Sequence, residues 1–83
     1  MRVLYFAWLR ARIGKGEEEM ALPAGVGDVA GLLAHLRGRG GGYAEALADL
    51  KVVRVAVNRD YVGPDHPLRD GDEVAIFPPV TGG

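Results

Sequence analysis

The stretch Asp70-Gly71-Asp72-Glu73-Val74-Ala75-Ile76-Phe77-Pro78-Pro79 decides the architecture of this chain. Asp-Gly-Asp is turn chemistry, since Asp bonds to nearby backbone and Gly takes a left-handed conformation without a clash. From Glu73 to Phe77 the side chains alternate, Val74 and Ile76 against Glu73, Ala75 and Phe77, which is the period of a strand with one face buried. Pro78 and Pro79 then stop the ladder, because proline has no N–H to donate. Two other segments share this character. Arg2-Val-Leu-Tyr-Phe-Ala-Trp-Leu9 is too aromatic and β-branched for a loop and too short for a helix, so a strand is predicted over residues 2–9. Val52–Val57 is the clearest strand of all, closed by Asn58-Arg59-Asp60 as a tight turn, with Tyr61-Val62 pairing briefly beyond it.

Between these runs the pattern changes. Gly14 and Gly16 mark a turn, and Glu17 to Leu22 reads as a strand that forms a hairpin with the first. Asp28 is a good N-cap for a helix in which Val29, Leu32, Leu33 and Leu36 recur at helical spacing, with Arg37 in its last turn and Gly38 just past it. Residues 38–42 hold four glycines and read as a flexible connector, and Tyr43 to Leu50 as one or two further helical turns. The order is strand, strand, helix, strand, short strand, strand. One helix can cover one face of one sheet, so the expected class is α+β, a mixed sheet wrapped on one main helix. The first and last strands then lie side by side at the centre, as in ubiquitin-like β-grasp folds. A domain over residues 1–78 and a flexible, reactive tail over 79–83 complete the expected organisation.

With 83 residues there is room for one small domain and not for a barrel or a dinucleotide-binding fold. A composition of 48% hydrophobic and 25% charged residues is that of an ordinary globular chain. No apolar run approaches a membrane span and the chain opens directly into a strand pattern, so a cytoplasmic protein without membrane contact is expected. Cysteine, serine and glutamine are missing, and His35 and His66 lie far apart, so neither a thiol or serine nucleophile nor a metal site is expected. A net charge of −1 gives no general pull toward nucleic acid.

Alternation assigns the faces. Val3, Tyr5, Ala7 and Leu9, Val53, Val55 and Val57, and Val74 and Ile76 belong on the helix side. Leu4, Phe6, Trp8, Ala56, Ala75 and Phe77 are left on the other, with Arg10 and Arg54 flanking them. This second set reads as a protein-docking patch, unless the Tyr43–Leu50 segment folds over it. Other motifs reduce to structure. Gly25-Val-Gly27-Asp-Val-Ala30 mimics a dinucleotide loop, with Asp49 at a plausible ribose distance, but Asp28 sets a carboxylate where a pyrophosphate would sit. His35 reads as a partly buried helix histidine, Glu17-Glu18-Glu19 as the solvated part of an edge strand in which Glu18 shares the core-side register, and Asp70 and Asp72 as turn formers.

The ending Pro78-Pro79-Val80-Thr81-Gly82-Gly83 is different. A carboxylate is a poor electrophile until a phosphate activates it. A tail threaded into another enzyme's channel must be extended and slim, which glycine permits and the prolines stiffen. The reactive group is then the Gly83 carboxylate, and the body of the chain needs no nucleophile.

Val3-Leu-Tyr-Phe-Ala-Trp-Leu-Arg10, Ala56-Val-Asn58 with its turn, and above all the run from Asp70 to Gly83 resemble the small, sulfur-carrying subunits of molybdopterin synthases. The resemblance implies a series of expectations. An adenylating enzyme similar to ubiquitin-activating enzymes uses ATP and magnesium on Gly83, while this chain itself binds no cofactor. A sulfur-relay enzyme then leaves a C-terminal thiocarboxylate. Residues Pro78, Pro79, Val80, Thr81 and Gly82 enter the active site of the large catalytic subunit, in a heterotetramer of two small and two large chains. Sulfur passes there to cyclic pyranopterin monophosphate, building the dithiolene of the molybdenum cofactor. Phe6, Tyr61 and Phe77 match the family's docking surface, with Arg10 at its edge. Two other readings share the tail: a ubiquitin-like protein modifier, or a sulfur carrier for thiazole synthesis or tRNA thiolation. A third is an interaction module with an unreactive tail.

Overall fold

The computed structural model describes residues 1–79. Its elements are β1 (Arg2–Tyr5), α1 (Trp8–Ile13), β2 (Glu17–Glu19), α2 (Val29–Arg37), α3 (Gly41–Ala46), a 3-10 turn (Leu50–Val52), β3 (Arg54–Val57), β4 (Asp60–Val62) and β5 (Glu73–Phe77). The five strands form one mixed sheet in the order β2-β1-β5-β3-β4. The decisive stretch therefore supplies the central strand, parallel to β1 and antiparallel to β3. This is the expected β-grasp arrangement. The predicted flexible tail begins at Pro79, and its residues Val80, Thr81, Gly82 and Gly83 lie outside the described residues.

One side of the sheet carries the core. Val3 and Tyr5 of β1, Val74 and Ile76 of β5 and Val53, Val55 and Val57 around β3 are buried there against Val29, Leu32, Leu33 and Leu36 of α2. Asp28 caps α2 as expected, its Oδ1 accepting the Gly31 N–H at 2.8 Å, so the carboxylate occupies the end at which the dinucleotide pattern would need a phosphate. Asp49 caps the 3-10 turn by accepting the Lys51 N–H. Asp72 accepts from the Arg69 N–H and the Asn58 side-chain amide, and Asp70 accepts the Leu22 N–H, so both act as turn and loop fasteners.

The first strand is shorter than residues 2–9. It ends at Tyr5, the chain reverses through Ala7 at φ 57°, and Trp8–Ile13 is helical. The reason lies in packing. A helix turns Leu9 and Ile13, four residues apart, toward the same core while Arg10 and Arg12 stay in solvent. Leu9 had been assigned the right face for the wrong element, and Trp8 leaves the outer face with α1. The second strand also stops early, at Glu19, and β3 starts two residues later than Val52, which belongs to the 3-10 turn. His35 is exposed rather than partly buried, because it falls on the α2 face opposite Leu32, Leu33 and Leu36.

The glycine-rich connector is structured. Gly40 and Gly41 take φ 77° and 53°, and α3 begins within the run. At Gly42 a Cβ would collide with the Arg12 carbonyl, so glycine is what lets α3 press against the end of α1. The segment after it delivers Ala46 and Leu47 to the core and sets the Tyr43 ring edge-on to Tyr5 at 6.2 Å. Residues 43–50 thus pack on the helix side, and the opposite face of the sheet stays uncovered.

Candidate functional site

Register builds the uncovered face. Leu4 lies opposite Ala75, Ala75 opposite Ala56, and Ala56 opposite Tyr61, so one row crosses β1, β5, β3 and β4. Directly opposed residues of neighbouring strands share a face. The two alanines at the centre of that row leave a depression, and larger side chains rim it. Phe6, Ala56, Arg59, Tyr61, Ala75 and Phe77 line a hollow of about 380 Å³. Phe6 is 47% exposed and Tyr61 77% exposed, although the Tyr61 ring packs against Phe77 at 5.3 Å with a tilt of 44°. Aromatic side chains left in water on a small domain contribute little to its folding and much to a surface that closes over them.

Three of the residues singled out for docking, Phe6, Tyr61 and Phe77, meet in this hollow. Arg10 is not among its lining residues. It is carried on α1, and its guanidinium lies where a Cβ on Gly16 would fall. The cation in the hollow is Arg59, on the turn between β3 and β4. Sequence reasoning missed it because alternation describes strands and says nothing of where a turn side chain leans. Arg54 shares the outer-face register with Phe77, but its Nη1 donates to the Lys51 and Val53 carbonyls at 3.0 Å each.

Phe77 ends the central strand, so Pro78 and Pro79 leave the sheet from beside the hollow. Pro78 and Pro79 are part-buried and belong to no strand. Val80, Thr81, Gly82 and Gly83, the other residues expected to carry the chemistry, lie outside the described residues. Among the described residues no group of His, Asp and Glu is arranged to hold a metal ion, and no helix is long and apolar enough to cross a membrane.

A second polar feature lies on the helix side. The Glu18 carboxylate accepts hydrogen bonds from Tyr5 Oη at 2.7 Å, Tyr43 Oη at 2.5 Å and Arg39 Nη1 at 2.7 Å. Burial pushes this carboxyl up, but the bonds from Arg39, Tyr43 and Tyr5 together outweigh it and hold the group at about 2. Burial, then the bond to Glu18, pushes the Tyr5 phenol up. Lys15 and Arg39 both approach the Tyr43 ring, at 5.9 and 5.0 Å from its centroid. Tyr5, Tyr43 and Arg39 all donate to the one carboxylate, so the cluster fastens β2 to α3. The third member of the Glu17-Glu18-Glu19 run, Glu19, pairs with the N-terminal ammonium, and Glu17 with Arg2.

Comparison with known proteins places this geometry among relatives. Residues 3–83 match the ThiS family. The molybdopterin synthase sulfur carrier subunit of Escherichia coli (strain K12) is 46% identical over 83 residues, 100% of this chain and 99% of that protein. Among solved structures, a Pyrococcus furiosus protein described as a candidate molybdopterin converting factor subunit 1 aligns with a TM-score of 0.77 at 37% identity, covering 95% of each chain. A complex of subunits 1 and 2 of molybdopterin-converting factor from Helicobacter pylori aligns with a TM-score of 0.65 at 26% identity, covering 99% of this chain and 96% of that one. The small archaeal modifier protein 1 of Methanosarcina acetivorans aligns with a TM-score of 0.70 at 26% identity, covering 99% and 94%.

Proposed function

The chain belongs to the ThiS family, and from that premise we propose that it is the sulfur carrier subunit of a molybdopterin synthase, without catalytic power of its own. The full-length match at 46% identity to a protein of that name carries the reading. The exposed hollow of Phe6, Tyr61 and Phe77 beside the exit of the tail supports it, since a carrier must dock its body while its end reaches into a partner.

The chemistry falls on Gly83. Its carboxylate attacks the α-phosphate of ATP in an adenylating enzyme, with magnesium on the phosphates, and pyrophosphate leaves. A sulfur nucleophile at the oxidation level of hydrosulfide, supplied by a relay enzyme, adds to the acyl-adenylate carbonyl and expels AMP, leaving the thiocarboxylate. Its sulfur is a better nucleophile than the carboxylate oxygen. Pro78, Pro79, Val80, Thr81 and Gly82 carry it into the large subunit, where it is donated to cyclic pyranopterin monophosphate. The glycines keep the last residues free of any Cβ that would strike the channel. Phe6, Tyr61 and Phe77 hold the body in place, with Arg10 nearby on α1. The family resemblance implies a heterotetramer of two small and two large chains, and a structure in which subunits 1 and 2 are bound together supports the contact between small and large chain.

The test is intact mass after incubation with an adenylating enzyme, ATP and a sulfur source. Exchange of one oxygen for one sulfur at Gly83 is expected, followed by molybdopterin formation when large subunit and precursor are added. A chain that keeps its mass under all conditions overturns the proposal. The likeness to a small archaeal modifier protein favours a second reading, attachment of Gly83 to lysines of other proteins, which isopeptide remnants in a cell digest would reveal. Service to thiazole synthesis or tRNA thiolation shares the same thiocarboxylate and is separated by which acceptor takes the sulfur.

A further inference from the structure

Arg59 sits where an arginine is costly. Asn58 and Arg59 have φ of 50° and 73°, the pair of left-handed residues that joins two antiparallel strands by a two-residue turn. Glycine is the residue that suits the second of these positions, because a Cβ there crowds the following carbonyl. Among the described residues no polar contact repays the substitution. Among the described residues Arg59 makes no ion pair and no side-chain hydrogen bond, whereas Asn58 beside it bonds Asp72 and the Glu73 N–H. Its side chain leans instead over the apolar hollow, where it is the one charged residue among Phe6, Ala56, Tyr61, Ala75 and Phe77. The other cations of that face are already engaged, Arg54 by backbone carbonyls and Arg2 by Glu17. A guanidinium at the edge of an apolar hollow, without an ion pair among the described residues, is suited to meeting a carboxylate, and covering the hollow would remove water from around it.

We infer that Arg59 is a specificity-determining residue of the docking face: it selects a protein partner that presents an Asp or Glu carboxylate beside the apolar side chain entering the hollow. This rests on the docking role proposed above. Strain at a turn position, a cation without an ion pair among the described residues and an apolar lining thus have a single explanation. A lone cation on a chain of net charge −1 fits one carboxylate rather than a polyanion such as RNA.

The experiment measures binding of the whole chain to the purified large molybdopterin synthase subunit of the same organism, at low and high salt. Arg59→Glu is expected to weaken binding by about tenfold or more at low salt, chiefly through slower association, with the deficit shrinking as salt rises. Arg59→Gly is expected to flatten the salt dependence while raising the thermal midpoint, because glycine relieves the left-handed strain. Arg59→Lys should bind between the native chain and Arg59→Gly, lacking the planar fork. Phe77→Asp separates the two levels of inference. If it leaves affinity unchanged, the docking reading itself fails. If it weakens binding while Arg59→Glu binds like the native chain, only the assignment of Arg59 is overturned. A drop in the midpoint of Arg59→Gly would show the side chain to be structural and would also overturn it, as would altered self-association of Arg59→Glu with unaltered large-subunit affinity.

Discussion

On the helix side of the sheet a carboxylate is enclosed, while on the opposite side aromatic rings stand in solvent. Glu18 meets three donors from β1, α3 and the segment before α3, and Phe6 and Tyr61 meet mainly water. The difference shows what each face is for. A part-buried charge is tolerated when several donors converge on it, and it then fixes one arrangement of the elements that supply them. An exposed ring does nothing for the monomer that a smaller residue could not do, so its worth is realised when another surface covers it. The helix side keeps the fold in one state, and on the function proposed above the outer side is the one that meets partners.

Adjacent residues of β5 give the sharpest way to break this contrast, since Ile76 faces the helices and Phe77 the hollow. Ile76→Ala opens a cavity in the completely buried layer and is expected to lower unfolding free energy by about 2–5 kcal/mol, read by denaturant titration. Equal stability of Ile76→Ala and the native chain would remove the distinction between the faces. Phe77→Asp is expected to cost only about 1 kcal/mol of stability, from strand propensity and the lost Tyr61 contact, yet to weaken large-subunit binding more than about tenfold.

Acid tests the enclosed carboxylate. The folded-state value of Glu18 is depressed to about 2 from an ordinary 4.5, so its contribution is present above the unfolded value and is lost as pH falls through the folded one. Stability should therefore drop between about pH 4.5 and pH 2, by up to about 3 kcal/mol from this group. Glu18→Gln, which keeps the shape and loses the charge, should be less stable at neutral pH by about 1–3 kcal/mol and show a shallower acid transition. An unchanged acid transition in that variant would mean that the cluster does not fasten β2 to α3. The smallest stability effect is the gain of Arg59→Gly, below about 1 kcal/mol, visible as a rise in thermal midpoint.

Much of this was legible along the chain. Alternation in residues 73–77 and 53–57 assigned their faces correctly, and Asp28 announced the start of α2. Asn58-Arg59-Asp60 was readable as a tight turn, although Asp60 already belongs to β4, and Phe6 and Phe77 as members of one outer patch. What was not legible was contact at long range. The strand expected over residues 2–9 runs on through Trp8 and Leu9 because they continue the apolar alternation, and packing of both Leu9 and Ile13 against the core places them in a helix instead. Leu47 and Leu68 belong to the core although neither sits in a periodic run, because loops fold them inward. Alternation puts Glu18 on the core side of its strand but does not reveal its partners, since Tyr43 and Arg39 are more than twenty residues away.

By itself, then, the sequence determined the central strand, its neighbours, the face that each strand buries and the Gly-Gly end on which the chemistry would fall. Those properties follow from local sterics and a period of two, which act between residues a few positions apart. The tertiary structure alone decided that α3 packs on the helix side and leaves the outer face open, that Gly42 is the close-packing point beneath it, and that the cation over the hollow is Arg59. Such outcomes depend on which distant side chains compete for the same space, and no spacing along the chain encodes that competition.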